Sequence, residues 1–396
     1  MALCERRGVP AFAGTTGALR RRSRICAILN GMTTVAIVGA GAVARAYAVL
    51  LVRAGHAAAL WSPSGAGTRD LRTASTYVSA WPDARAVTLT YSGAVEGTAT
   101  VAALGSPADL AAAAAVIVAL PAPAYANVLP TIAPHLRPGQ TVFVTGALSL
   151  APLWLAELAA AHGTRPVVAA SGTTVATART RDGGVTVMTI RTRLGAAALP
   201  ISETRNALAL CAALFGDRFD AADSLLAVTL TNINPVAHAA MALANFTRIE
   251  RAETWPQYHY LTPAVARLVE TMDAERRAIA SAFGVHVTTI EAHFQRSFDV
   301  PQTTLAEIAA ELHRRRGGPP GPTSLDTRFV LEDVPYGLVF NAALARIAGV
   351  SVPATEAVIT TLSTLYGRDF RAENPLIGAL GLPAATRQSL LARCAG

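Results

Sequence analysis

No lysine occurs among the 396 residues; all 34 basic side chains are arginine. The chain therefore has no lysine base and no Schiff-base amine, which removes a set of carbonyl chemistries. Charged residues are also scarce, at 15% against 52% hydrophobic, a balance that excludes a disordered chain and supplies apolar material for substantial cores. Cysteine is limited to Cys4, Cys26, Cys211 and Cys394, far apart and without CxxC or His-rich spacing. Neither a disulfide framework nor a zinc site is implied, and a reducing cytoplasm suits this pattern. Every apolar stretch of membrane-spanning length is interrupted by a charge, proline or glycine, so no membrane helix is expected.

The formal net charge of +8 is mostly local. Residues 1–31 hold Arg6, Arg7, Arg20, Arg21, Arg22 and Arg24 against Glu5, a balance of +5 that leaves +3 for the rest. No stripe of basic and aromatic residues follows, so nucleic acid is not an expected partner. The leading segment is Arg-rich and nearly free of acids, as some transit peptides are, but the arginines interrupt any secretory apolar core. The simpler expectation is that folding starts at Met32 and that residues 1–31 form a dispensable extension.

From Thr33 to Gly39 the chain reads as a buried strand, followed by Gly39-Ala40-Gly41-Ala42-Val43-Ala44, an apolar helix through Leu51, and a second strand over Ala57–Trp61. A glycine-rich turn between strand and helix is the context of a dinucleotide-binding fingerprint. Gly39 permits the tight turn, Gly41 lets backbone approach a pyrophosphate, and Ala44 lets helix and strand pack. The phosphates would meet free amides at the helix N-terminus. The second strand ends in Trp61-Ser62-Pro63-Ser64, where an acid for the ribose hydroxyls is customary and absent. Ser62 and Ser64 can hydrogen-bond a 2′-phosphate and Arg69 can pair with it, which favours NADPH while leaving NADH admissible.

Further strands are expected at Val116–Leu120, ending at Pro121, then at 140–144, 167–170 and 185–191. Strands alternating with helices predict an N-terminal Rossmann domain, a doubly wound parallel sheet over residues 32–203, with its ligand crevice near Pro121 and Thr145. From residue 204 to 396 the period becomes helical, over 235–249, 263–283, 304–315, 337–348 and 355–366, predicting a mostly α-helical substrate domain. The Gly/Pro/Arg-rich stretch 314–326 reads as a solvated connection, with a lid over the cleft as the alternative.

The helical half carries polar residues that packing does not require. Asn232 and Asn234 precede His238, with Asn234 in an N-cap context. Arg328, Glu332 and Asp333 interrupt an apolar run. Spacing alone does not bring His238 to Asp333, and an isolated His is most simply a core residue. The motifs NPVAH (234–238), LTPAV (261–265), MDAER (272–276), GPTSLDTRF (321–329) and EDVPYGLV (332–339), in that order, make the chain resemble the octopine/nopaline (opine) dehydrogenase family from Met32 to Leu382. The resemblance implies His238 as proton donor and acceptor, Asp333 as its orienting partner, and Arg328 as the anchor of a substrate carboxylate; Asn234 is a further candidate for substrate binding. It also implies condensation of an amino acid with an α-keto acid followed by reduction to a secondary amine. Departures from the family pattern are Ala239 after the His, Asn374-Pro375 in place of a Gly-Arg pair, and the loss of a frequent Glu near Ser171, Thr173 and Thr174.

A proton-transfer group with a pKa near neutrality and a forked cation for carboxylates suit such chemistry. Other two-domain dehydrogenases that rely on lysine do not fit this chain. A His-dependent hydroxy-acid dehydrogenase and a non-catalytic NADP-binding sensor are the competing readings. The expected partners are small molecules, an amino acid and an α-keto acid; a homodimer is compatible with the sequence. His259 is the rival histidine, whereas His286, His293 and His313 read as solvated.

Overall fold

The computed structural model describes residues 31–181, 183–317 and 319–396. The expectation for the first 31 residues falls almost wholly outside them. Strand β1 (Thr34–Val38) sits at the centre of the sheet, parallel to β2 (Ala57–Trp61) on one side and to β6 (Ala115–Val118) on the other. Helix α1 (Ala42–Arg53) joins β1 to β2. Beyond β6 lie β7 (Thr141–Thr145) and β8 (Val167–Ser171), both parallel. These strands, near-continuously apolar as strands covered on both faces must be, form the Rossmann core expected from the sequence.

The sheet is larger than the pattern indicated, and it is mixed. Among the described residues it has twelve strands. A two-residue β3 (Arg72–Thr73) pairs with the hairpin of β4 (Arg85–Gly93) and β5 (Gly97–Leu104), and β5 runs parallel to β2. A second hairpin, β9 (Ala176–Arg181) and β10 (Gly184–Ile190), extends the same edge through β4. On the far edge β11 (Leu194–Leu199) lies antiparallel to β8, with β12 (Phe219–Ala221) parallel beside it. The expected division at residue 203 therefore falls too early. Helix α2 (Thr204–Phe215) and β12 still belong to the sheet, and the helical half begins at α3 (Leu225–Thr231).

Alternate residues of β1 enter different cores, as a period of two requires. Val35 and Ile37 pack with α1 and α2, whereas Ala36 and Val38 join a core that is continuous with the helical half. The helices thus share one apolar interior with a face of the sheet, which fixes the two parts against each other. The helical segment expected over 235–249 is two helices, α4 (Asn234–Ala244) and α5 (Phe246–Glu250). The first of these packs against α6 (Pro263–Ala282), which also contacts α8 (Leu305–Arg316), and α8 packs on α7 (Ile290–Phe298). The stretch Leu225–Ala244 has the length and apolarity to cross a membrane, but 83% of it is buried inside the protein, and it breaks at Asn232 between α3 and α4.

The loop after α8 is tied down. Trp255 donates its indole N–H to the Pro322 carbonyl at 2.9 Å and accepts at its own carbonyl from Gly321 at 2.8 Å, and Gln257 donates to Pro319 at 3.0 Å. A Cβ on Gly321 would sit 2.2 Å from the Trp255 ring.

Candidate active site

The cofactor cradle is built by local backbone. Gly39 has φ +121°, and a Cβ there would lie 2.4 Å from the Ala119 carbonyl. Only glycine allows β1 to turn this close to the end of β6. Gly41 precedes α1 as its N-cap, and a Cβ there would have nothing within 4 Å; the turn's outer face is open. Ala44 is completely buried, where helix and sheet meet. Arg45, also buried, is committed to structure: its guanidinium donates to the carbonyls of Ala40 at 2.9 Å and Gly67 at 3.0 Å, which pins the turn. Free amides at the N-terminus of α1 beside an open glycine are the donor set a pyrophosphate requires, so the residues present fit a dinucleotide.

At the end of β2, the Ser62 hydroxyl accepts from Gly67 N–H at 3.1 Å and that of Ser64 from Ala66 N–H at 3.3 Å. Both can still donate outward. Arg69 closes the short helical turn Ala66–Arg69 and is exposed. Pro121 is exposed at the end of β6 and starts a 3₁₀ turn (Ala122–Ala124) that continues into a helix, Tyr125–Ile132.

The second part of the site is assembled from distant pieces. His238 lies one turn into α4, and its Nδ1 is 2.8 Å from Asp333 Oδ2, across 95 residues of sequence. A carboxylate only accepts, so Nδ1 carries the proton of this bond and Nε2 is left as the exchangeable nitrogen. The His ring stacks face to face on Phe329, with centroids 3.8 Å apart and planes 4° from parallel. Its side chain keeps 22% of its surface exposed, against 8% for Asp333. The ring is therefore fixed on one face and one edge, and open on the other edge.

Asp333 begins a π-helical turn, Asp333–Leu338, between the short helix Arg328–Leu331 and the helix Val339–Ala348. The helix expected from residue 337 is regular only from Val339. A π turn leaves carbonyls displaced from the α ladder, and such turns recur at functional sites. Here the displaced carbonyls find partners in other elements. Ser149, which follows β7, donates to Tyr336 O at 2.6 Å, and Asn374 donates to Pro335 O and to Ser149 Oγ, each at 3.0 Å. Asn374, a departure from the family pattern, thus ties the π turn to the sheet. Gly337 lets the turn meet α4: a Cβ there would lie 2.3 Å from Pro235 Cγ. The dyad's distance depends on this close approach.

Asn234 is not the N-cap. Ile233 takes that place, and the side chain of Asn232 accepts the Asn234 N–H at 3.0 Å. Asn232 is buried while Asn234 is exposed. Because residues four apart share a helix face, Asn234 stands on the same face as His238. Arg328 pairs through Nε with Glu332 Oε2, yet 74% of its side-chain surface is open.

Among the other histidines, His259 is exposed and lies 4.8 Å from the His313 ring; it lacks a carboxylate partner among the described residues. His286 is 95% exposed beside Asp223. His293 does not fit the solvated role expected of it. Burial, and then the charges of Arg191, Arg276 and Arg296, push its pKa down to about 4. Sequence reasoning noted Glu332 in an apolar run without giving it a role, and did not single out Phe329, Gly337 or Ser149 as parts of the site. The π turn around Pro335 was the one signal that pointed to them, and only a structure shows it.

Residues 221–366 match the family described as the alpha-helical domain of NAD/NADP octopine/nopaline dehydrogenases. Over 358 residues the chain is 28% identical to an opine dehydrogenase of Arthrobacter sp. (strain 1C), covering 89% of this chain and 96% of that one. An octopine dehydrogenase solved with NADH and L-arginine shares the fold at a TM-score of 0.71 and 16% identity, over 91% of this chain and 98% of that one. A yersinopine dehydrogenase with NADP⁺ bound does so at a TM-score of 0.65 and 17% identity, over 92% and 98%. With its Rossmann cradle and its helical domain, the chain is thus similar in sequence and fold to the octopine/nopaline dehydrogenases, which are NAD(P)-dependent oxidoreductases acting on CH–NH donors.

Proposed function

We propose that this enzyme condenses an amino acid with an α-keto acid and reduces the resulting imine to a secondary amine dicarboxylate, and that it runs the reverse oxidation. The observation that carries this reading is the His238–Asp333 pair, 2.8 Å apart with the far edge of the imidazole open. A nicotinamide held by the glycine turn, with Gly39, Gly41, Ala44 and the region of Pro121 around it, would supply the hydride in synthesis and accept it in reverse. The protein's own part is proton transfer and orientation. With Asp333 fixing the tautomer, His238 Nε2 gives a proton to the keto oxygen as it leaves as water, and exchanges one with the amine nitrogen. Stacking on Phe329 keeps the ring from rotating between these events. Arg328 offers its fork to a substrate carboxylate, and Asn234, on the His face, offers an amide to a neighbouring polar group.

NADPH is the preferred cofactor on this reading, because β2 ends in Ser62 and Ser64 with Arg69 nearby and no acid. The amine and the keto acid are small molecules, and the cytoplasm is the proposed compartment. A grid of amino acids against pyruvate and 2-oxoglutarate, followed through NADPH and NADH absorbance, tests the reading. Oxidation that requires both an amine and a keto acid is expected. Oxidation by a keto acid alone, at the same rate, would instead indicate a hydroxy-acid dehydrogenase; cofactor binding without turnover across the grid would indicate a sensor.

A further inference from the structure

Glu332 is the most tightly buried carboxylate near the site, with 6% of its side chain exposed, and it divides its two oxygens between the two halves of the molecule. Oε1 accepts the backbone N–H of Ala122 at 2.9 Å, across 210 residues of sequence. Ala122 opens the 3₁₀ turn that continues into the helix Tyr125–Ile132, at the carboxyl end of β6. Amides at such a start lack intrahelical acceptors, and a carboxylate is favourable there. Oε2 accepts from Nε of Arg328, whose side chain is mostly exposed.

The second bond is not required by burial, since the arginine is open to solvent. Its effect is geometric. Only Nε of the guanidinium is bonded to Glu332, and neither Nη1 nor Nη2 has an acceptor among the described residues. A carboxylate fits that end with two parallel bonds. A buried carboxylate also costs free energy unless both oxygens are satisfied, so Glu332 is stable in this place only with the sheet and the arginine both docked on it.

We infer that Glu332 is a positioning residue: it fastens the end of β6 to Arg328 and aims the free end of that arginine at the substrate carboxylate. The inference rests on the reading of Arg328 as a carboxylate anchor. Glu332→Gln retains an oxygen for Ala122 N–H and replaces the acceptor of Arg328 Nε with a donor. In steady-state assays with the productive amino acid and keto acid, we expect the KM for one substrate to rise on the order of 10-fold, as for a lost hydrogen bond to a charged group. We expect kcat to change less, NADPH affinity by fluorescence to stay near that of the unaltered enzyme, and the pH midpoint of kcat to stay in place, because His238 and Asp333 are untouched.

Introduced on an Arg328→Ala background, Glu332→Gln should raise KM no further, since the residue it acts through is gone; a purely structural glutamate would add its effect there. Glu332→Asp, one methylene too short to span both partners, should also raise KM. If Arg328→Ala raises KM but Glu332→Gln does not, the positioning role is wrong while the anchor stands. Should Arg328→Ala leave both KM values unchanged, the anchor and this inference fall together. Failure of both Glu332 variants to fold would overturn the inference in favour of a structural role.

Discussion

The cofactor cradle and the His–Asp pair are built in opposite ways. Gly39, Gly41 and Ala44 are consecutive features of one turn, shaped by glycine backbone beside the Ala119 carbonyl and pinned by the neighbouring Arg45. The dyad joins residues 95 apart and is held by contacts from four places: Pro235 against Gly337, Phe329 against the imidazole, and Ser149 and Asn374 against the π turn. A local motif tolerates change elsewhere in the chain, whereas an assembled site depends on every packing contact that sets its distance. The two parts should therefore fail separately.

The largest effect is expected at the turn. Gly39→Ala puts a side chain at φ +121° and against a backbone carbonyl. Together, left-handed strain of about 1–2 kcal/mol and overpacking of about 1–3 kcal/mol should lower thermal stability and abolish tight NADPH binding. Retained affinity would show that the turn has a different role. Next comes Gly337→Ala, which forces α4 away from the π turn. A displacement of about 1 Å at reacting groups can cost about 10²-fold in rate; kcat should fall by that order with NADPH affinity unchanged. Equal loss of both quantities would mean that the two parts are not independent.

A smaller effect sharpens the comparison from the cradle side. Ser62→Asp places a carboxylate where the second strand ends, so the ratio of kcat/KM for NADPH over NADH should fall, through repulsion of a 2′-phosphate and a new acceptor for ribose hydroxyls. An unaltered enzyme that already prefers NADH would remove the basis of this expectation. The smallest effect lies at His293. Its pKa of about 4 is below the ordinary value for His, so the unfolded chain binds the proton more readily, and this group's contribution to stability is lost as pH falls from about 6.5 toward 4. His293→Gln should flatten that part of the Tm-against-pH curve; an unchanged curve would show that His293 does not titrate in that window.

The same contrast explains what could be read from the chain. The strand–turn–helix of the cradle is written in adjacent residues, and the central strands followed from apolar runs covered on both faces. Strand β10 was legible over 185–191, whereas the hairpin β4–β5, the strand β9 and the edge strands β11 and β12 were not, since their Thr-, Ala- and Arg-rich segments owe their strand state to pairing with distant neighbours. His238, Asp333 and Arg328 came into view through motif resemblance rather than spacing. Asn234 stands in an N-cap context in the sequence, yet Asn232, two residues earlier, offers the same chemistry, and only the fold shows which side chain accepts the amide. Glu332, Ser149 and Asn374 act across the boundary between sheet and helices, over 210, 187 and 225 residues respectively, and no local pattern encodes such contacts.

The central claim is that proton transfer resides in the assembled pair and cofactor binding in the local turn. Its most direct test is to measure kcat and NADPH affinity together for His238→Ala and Asp333→Asn in the amino acid and keto acid assay. Loss of a general acid–base group costs roughly 10²–10⁴-fold in rate. The account predicts a fall of kcat in that range for His238→Ala, a comparable direction for Asp333→Asn, and a cofactor affinity within about threefold (~0.7 kcal/mol) of the unaltered enzyme for both. Normal turnover by His238→Ala, or loss of cofactor binding in step with turnover, would contradict it.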